Sequence, residues 1–143
     1  MDWRENAKDD LKEYNVRKAG IETLKRRIAY LESQMDGLKS QDLTIDRVQG
    51  GEHGDALLTL IDEKTRLESN LKFADEIIER VERGITNLTD NERKVLTAAY
   101  INRGEGYIET LCLSLGFERS QIYRIRDAAL RKYTYATYGM VIS

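Results

Sequence analysis

The 143-residue sequence contains no proline, one cysteine and one histidine. Because proline interrupts helices, its absence, together with 34% charged residues, is typical of long helices. One cysteine cannot form a disulfide within the chain. A single cysteine, Cys112, and a single histidine, His53, also exclude a zinc site of these residue types and a Cys-His catalytic pair. We therefore predict neither a metal site nor catalysis by such a pair.

Other signatures are missing as well. No run approaches the roughly 20 apolar residues of a membrane span, and the opening sequence MDWRENAKDD is too acidic and polar for a secretion signal. The glycines at 50, 51 and 54 lack the Gly-Lys-Ser/Thr ending of a phosphate-binding loop. The sequence thus predicts a cytoplasmic protein that is not an enzyme and has no cofactor, no membrane contact and no small-molecule substrate.

Apolar side chains recur at intervals of three and four residues through the first part of the chain, which is the spacing of a coiled-coil seam. This spacing predicts two long helices at about 4–39 and 55–84, joined by a Gly-rich link at 40–54. Neither helix can leave its seam in water, since burying each seam side chain contributes about 1.5–3 kcal/mol. We therefore predict a helical hairpin or coiled-coil arm that spans residues 1–84.

The arm is also predicted to mediate self-association. Further apolar residues widen the stripe beyond what two paired helices need, and these are Leu58, Ile61, Phe73 and Ile77. This excess indicates a homodimer or a higher homo-oligomer. The residues assigned to the oligomerisation seam are Leu24, Ile28, Leu31, Leu60, Leu67, Leu71 and Ile78.

Residues 85–134 carry signals for three shorter helices. A Thr-x-x-Glu capping box begins at Thr89 and predicts a helix start there. A second helix fits 107–115 and is followed at once by Gly116, a residue suited to a left-handed turn. A third helix is predicted over 119–133. The chain is thus expected to be all-α, with a helical arm followed by a three-helix helix-turn-helix domain.

The third of these helices carries the clearest cationic surface of the chain. In a helix-turn-helix, side chains near the start of the second motif helix reach base edges in the major groove. The base-contacting candidates are Arg119, Ser120, Gln121, Tyr123 and Arg124. Cationic side chains further along suit phosphates, which position a protein without reading sequence. The phosphate-contacting candidates are Arg126, Arg131 and Lys132. The alternative is that these cationic side chains only make a surface helix soluble.

The charge distribution favours a polyanionic partner for the second part of the chain. Residues 1–83 carry 15 Lys and Arg against 19 Asp and Glu, whereas residues 84–143 carry 8 against 6. The net charge therefore changes from −4 to +2 along the chain. The acidic part should face solvent or proteins, and the basic part should face the phosphates of double-stranded DNA.

The last residues, 135–143, form an apolar tail. Its apolar members are Tyr135, Tyr138, Met140, Val141 and Ile142. Such an end is predicted to pack back on the helical arm or across a dimer interface. The alternative is a frayed terminus.

The segment at 108–133, IETLCLSLGFERSQIYRIRDAALRKY, resembles the fourth conserved region of primary bacterial sigma factors. The residues that match its pattern in register are Glu109, Leu115, Gly116, Arg119, Ile122, Ile125, Ala129, Leu130, Arg131 and Lys132. The preceding LTDNERKVL is similar to that region's Leu-Pro-x-x-Glu-Arg-x-Val-Leu opening, with Thr89 where proline is usual. The resemblance covers about 46 of the 143 residues.

This resemblance implies a module that reads a promoter element, in which the positions of Arg119, Ser120 and Arg124 reach bases. Glu118 and Tyr123 depart from the family's pattern, so the promoter sequence itself does not carry over. The first eighty or so residues lack the aromatic-rich portion with which a sigma factor melts the promoter, and they carry the helical pattern described above instead.

A helical arm followed by such a module also resembles a group of small prophage regulators of Gram-positive bacteria, the ArpU-type late-gene activators. The resemblance implies sequence-specific binding of double-stranded DNA and regulation of transcription, with RNA polymerase as a further candidate partner. Two alternatives stay open. A phage DNA-packaging terminase small subunit predicts a ring of many subunits. A protein-directed inhibitor or adaptor, acting on RNA polymerase or another host protein, predicts no salt-sensitive binding to duplex DNA.

Overall fold

A computed structural model of the chain describes residues 1–42 and 50–142, with the side chains at 41–42 and 50–53 outside that description. The described part consists of helices and contains no strand, so the prediction of an all-α fold is confirmed. The helices are α1 (Trp3–Lys12), α2 (Tyr14–Asp42), α3 (Gly50–Thr86), α4 (Asp90–Leu96), α5 (Tyr107–Leu115) and α6 (Arg119–Tyr138). The end of α4 widens into a π-helical turn at Thr97–Ile101.

The helices form two compact units. Unit 1 contains Met1–Arg17 and Ile77–Ser143, and unit 2 contains Lys18–Glu76. The long helices α2 and α3 each contribute to both units. No helix in the described ranges combines the length and hydropathy that a bilayer span requires.

Unit 2 contains α2 from Lys18 to its end and α3 from its start to Glu76, and the two helices run antiparallel. In the last part of α2 and the first part of α3, Gln34 and Leu38 share a groove with Ala56 and Leu60. Two ion pairs also join α2 to α3, Arg27 to Glu63 at 3.6 Å and Lys64 to Glu32 at 3.3 Å. Ile21 and Leu31 of α2 and Leu67 of α3 are the buried apolar side chains of these segments.

The residues assigned to the oligomerisation seam are covered within one chain. Leu31, Leu67 and Ile78 are buried. The other four are half-buried, and they are Leu24, Ile28, Leu60 and Leu71. Self-association stays a prediction, and the apolar side chains left for it on α3 are Leu58, Ile61 and Phe73.

The core of unit 1 joins helices that are distant in sequence. One buried cluster takes residues from α1, α3, α4 and α6, together with Leu88 between α3 and α4. Its members are Ala7, Leu11, Val81, Leu88, Leu96, Ala129, Leu130 and Tyr133. Leu11 and Tyr133 are fully buried. This cluster holds α6 by its inner face and so leaves its outer face to solvent.

A polar network lies beside this core. The Asp10 carboxylate of α1 accepts a 2.8 Å bond from Arg80 of α3 and a hydrogen bond from the Tyr138 hydroxyl of α6. The Arg80 guanidinium also lies 5.0 Å from the centre of the Tyr138 ring. The Trp3 ring stacks on the same tyrosine, with ring centres 5.0 Å apart. Three helices are thus tied at one carboxylate.

The apolar tail returns to the start of the chain. Gly139 adopts a left-handed φ of 75° and ends α6. The Trp3 amide then donates to the Val141 carbonyl over 2.9 Å, and Asp2 and Ile142 form an isolated antiparallel bridge. As far as residue 142, the tail thus contacts the first residues of the chain, which the sequence assigned to the helical arm.

Several helix bounds differ from the prediction. The helix expected at about 4–39 is interrupted at Glu13, because its first part packs into the core of unit 1. The third helix of the second half continues five residues past Tyr133 because its buried face continues through Thr134. Helical backbone also enters both ends of the link predicted at 40–54, since a helix with a packed apolar seam can propagate into polar sequence. The middle of that link, 43–49, lies outside the described residues.

Tyr138 is expected to make the stability of unit 1 fall at alkaline pH. Burial, followed by the hydrogen bond to Asp10, raises the pKa of Tyr138 from 10.0 to about 12. The folded chain therefore keeps this proton where the unfolded chain loses it, so the stability that Tyr138 contributes is complete below pH 10 and declines as pH rises from about 10 to about 12. We expect the urea midpoint of wild type, followed by circular dichroism, to fall across this interval.

The variant Tyr138→Phe isolates this effect. It keeps the ring that stacks on Trp3 but has no proton to lose, so it should be less stable than wild type at neutral pH and lose less stability on going to pH 12. Equal losses in the two proteins would show that Tyr138 does not carry the dependence.

Candidate nucleic-acid interface

The order α4, α5, turn, α6 follows from local sequence signals. Thr89 caps α4 by accepting a bond from the Glu92 amide, while the Glu92 carboxylate accepts one from the Thr89 amide. Gly116 ends α5 with a left-handed φ of 73°, and its amide donates to the Cys112 carbonyl over 3.0 Å. A side chain at this φ would be strained, so glycine permits the sharp turn into α6. The capping box and this turn are where the sequence predicts them.

The rotation of α6 about its axis is set by its buried side chains. Ile122 is fully buried in a small cluster with Val95, Ile108 and Leu111 from α4 and α5. Further along, Ala129, Leu130 and Tyr133 are buried in the main core of unit 1. With one face fixed at both ends, the residues on the opposite face must point to solvent.

The outward face of α6 carries most of the predicted base-contacting residues. Ser120, Gln121 and Arg124 are exposed and line a shallow groove together with Ala128. Arg131 is exposed two turns after Arg124. Within the described ranges, neither Arg124 nor Arg131 has a hydrogen bond or ion pair with another side chain. This face can therefore offer two arginines without breaking any internal contact.

Arg119 is exposed as well, but it has partners. Its Nη1 donates to Glu109 Oε1 over 2.9 Å, and its Nη2 lies 3.5 Å from the Tyr123 hydroxyl. The bond to Tyr123, and then the charge of Glu109, raise the pKa of Arg119 above its ordinary value. The charge of Arg119 is thus secure, and its direction is restrained by α5.

Arg126 points away from the outward face. Its guanidinium lies 4.9 Å from the centre of the half-buried Tyr123 ring and bonds the Tyr107 hydroxyl at 3.4 Å and Asp127 at 3.2 Å. A polar pocket on this side also contains Tyr100 of the π-helical turn. Arg126, a predicted phosphate contact, is therefore engaged in internal contacts. Tyr123, a predicted base contact, is half-buried and contacts both Arg119 and Arg126.

Lys132 is also paired internally. Its ammonium lies 3.1 Å from Glu92 Oε1, which joins α6 to the capping box of α4. Burial works against the Glu92 carboxylate, but the bonds from Thr89 and Lys132 outweigh it and lower the pKa of Glu92. Of the three predicted phosphate contacts, Arg131 alone has no described partner.

Sequence reasoning missed the acidic and phenolic partners of these cations. Glu109 precedes Arg119 by ten residues, Tyr107 precedes Arg126 by nineteen and Glu92 precedes Lys132 by forty. No periodicity within one helix relates such positions. Only the packing of α4 and α5 against α6 brings them together.

In the described part of the chain, no group of three His, Cys, Asp or Glu side chains lies close enough to hold a metal ion. Among known proteins, a family model described as protein of unknown function (DUF1492) matches residues 37–134, about two thirds of the chain. The chain belongs to this family. No curated protein and no solved structure matches it. The DUF1492 match covers α4, α5 and most of α6, and it leaves out α1.

Proposed function

We propose that this protein is a sequence-specific DNA-binding transcriptional regulator of phage or prophage origin. One observation carries the proposal: the outward face of α6 presents Arg124 and Arg131 without described partners. With α5 and the turn at Gly116, α6 corresponds to the second helix of a helix-turn-helix, whose early residues meet base edges. Ser120, Gln121 and Arg124 occupy that early part of α6.

The position of each free arginine along α6 supports the role that we propose for it. Arg124 has a guanidinium that suits the two acceptors of guanine, and Gln121 suits adenine. Arg131 lies further along α6 and suits a phosphate. The segment at 84–143 has a net charge of +2, which favours this end of the chain for the DNA backbone.

The resemblance to the sigma-factor region and to ArpU-type regulators supports a role in transcription. The matching residues include Arg119 and Arg131, which lie on or beside the outward face of α6. We infer that the module reads a promoter-associated sequence, since the resemblance concerns the part of a sigma factor that does so.

Self-association would strengthen such binding. Leu58 and Phe73 of α3 are 59% and 65% exposed, and a second copy can cover them. Two modules in one dimer would convert two weak contacts with one duplex into a tighter one, provided that the half-sites match their spacing.

A protein-directed adaptor is the second candidate function, favoured by a groove on α6. Its lining combines the apolar side chains of Ala128, Tyr135 and Ala136 with the cationic side chains of Arg131 and Lys132. Its volume is about 580 Å³, and Tyr135 is 63% exposed. Such a groove suits an acidic segment of a protein such as RNA polymerase.

The first test is selection of genomic duplex fragments by the purified protein, followed by binding measurements on the enriched sequence. We expect Arg124→Ala to weaken binding to that duplex about tenfold or more while changing binding to a shuffled duplex little, because a lost base contact removes discrimination. Arg131→Ala should weaken binding to both duplexes about equally and reduce the salt dependence by about one counterion.

Arg66→Ala is the matched control. Arg66 is an exposed arginine of unit 2 with no described partner, so its loss removes the same positive charge from the other unit. The regulator proposal fails if no duplex is enriched, or if Arg124→Ala and Arg66→Ala bind the enriched duplex equally well. Absence of enrichment together with capture of purified RNA polymerase would favour the adaptor.

A further inference from the structure

Arg119 and Glu109 form an ion pair that joins the start of α6 to the first turn of α5. The distance from Arg119 Nη1 to Glu109 Oε1 is 2.9 Å. The side chains remain 62% and 58% exposed. The guanidinium is therefore held on one side by α5, and its second terminal nitrogen faces the Tyr123 hydroxyl of the next turn at 3.5 Å. Much of the group still faces solvent.

The stability of the fold does not account for this pair. Exposed ion pairs contribute little to the free energy of unfolding, because water and salt screen them and two long side chains must be ordered. Buried contacts among Ile108, Leu111 and Ile122 already fix α5 against α6. The pair instead restricts the directions in which the Arg119 guanidinium can donate hydrogen bonds to a ligand.

We propose that Glu109 is a positioning residue that makes Arg119 discriminate between DNA sequences, an inference that rests on the proposed DNA-binding function. An unrestrained arginine can turn toward any nearby phosphate oxygen. Arg119 instead presents its remaining N–H groups in the direction that Glu109 and Tyr123 leave open. A base edge with acceptors in that direction is satisfied without first ordering the side chain.

Glu109 also acts against the wrong duplex. Its carboxylate lies beside the cation that would meet the DNA, so it repels phosphates wherever Arg119 finds no matching base. Removal of this charge should therefore strengthen binding to unmatched sequences more than binding to the matched one. The effect separates discrimination from overall affinity.

The experiment compares Glu109→Gln with Glu105→Gln. Glu105 is exposed in the turn before α5 and has no ion pair within the described ranges, so both variants gain the same charge near the same surface. Dissociation constants are measured at one salt concentration for the enriched duplex and for a shuffled duplex of equal composition. Thermal unfolding of each variant is recorded in parallel.

Discrimination is expressed as the dissociation constant for the shuffled duplex divided by that for the enriched duplex. We expect Glu109→Gln to lower this ratio about tenfold, mainly because it binds the shuffled duplex more tightly. Glu105→Gln should leave the ratio at its wild-type value, and neither change should move the melting temperature. In an Arg119→Ala background, Glu109→Gln should no longer alter the ratio, because the residue through which it acts is gone.

The role of Glu109 is refuted if Glu109→Gln retains the wild-type ratio, or if it lowers the ratio equally with and without Arg119. Those outcomes leave the regulator proposal intact, since the wild-type protein would still prefer one duplex. If the wild-type protein prefers no duplex, both proposals fail together.

Discussion

Replacement of Gly84 by alanine is expected to lower the free energy of unfolding by about 2 kcal/mol. An alanine Cβ at this position of α3 would lie 2.5 Å from Thr137 Cγ2 and 2.7 Å from Tyr133 Cε2, both on α6. Tyr133 is fully buried and cannot move aside. Overpacking of this severity costs about 3 kcal/mol, whereas alanine gains only about 1 kcal/mol over glycine inside a helix, so the clash decides the sign.

Urea unfolding measures this loss. Circular dichroism follows the helices of both units, and Trp3 fluorescence follows unit 1, because Trp3 is the single tryptophan and stacks on Tyr138 of α6. Gly20→Ala is the matched control. Gly20 lies in α2, and beyond its own turn of helix nothing lies within 4 Å of where an alanine Cβ would be, so alanine there should stabilise its helix by about 0.5–1 kcal/mol. Equal effects of the two substitutions would contradict the close approach of α3 to α6.

The variant Thr137→Ser tests the cause more closely. It removes Cγ2, the atom that an alanine Cβ at position 84 would approach most closely, and retains the hydroxyl that donates to the Tyr133 carbonyl. Combined with Gly84→Ala, it should recover part of the lost stability and no more, because the Tyr133 ring still lies within 3 Å of the new methyl group. Full additivity of the two changes would place the strain elsewhere.

The sequence could predict those features of the fold that depend on residues close together along one helix. The capping box at Thr89 and the left-handed Gly116 are local residue patterns that favour a helix start and a sharp turn, so the sequence alone reveals them. The three-four spacing of apolar residues likewise predicted the long helices, because burial of one stripe is a property of the helix itself. Helix ends were less predictable, since packing decides how far a helix continues.

What could not be predicted depends on contacts between distant helices. The helical spacing of α6 alone does not predict that Arg126 points inward. Its inward position is stabilised by the hydroxyl of Tyr107 and the ring of Tyr123. Glu109 was matched to a family pattern, but its pairing with Arg119 needs the turn between α5 and α6. From the sequence alone, Gly84 is a glycine that lowers the stability of its helix. The structure shows that α6 packs so closely against this position that a side chain has no room.

The position of α1 is the clearest case of this kind, and it leads to the second large effect. The sequence pattern assigned the first residues to a helical arm, and the family match begins only at residue 37. Yet α1 supplies two fully buried residues, Ala7 and Leu11, to the cluster that holds α6. The segment before the family match is therefore part of the core that orients the candidate interface.

Leu11→Ala is accordingly expected to destabilise unit 1 by about 3 kcal/mol, through lost burial and the cavity left in the buried cluster to which Leu11 belongs. Leu113→Ala makes the same chemical change on α5 where the side chain is 87% exposed, and it should change stability by less than about 0.5 kcal/mol. Urea unfolding of both variants, followed by Trp3 fluorescence, decides the matter. A small loss for Leu11→Ala would mean that α1 is a peripheral attachment, and that α6 keeps its orientation without the residues that precede the family match.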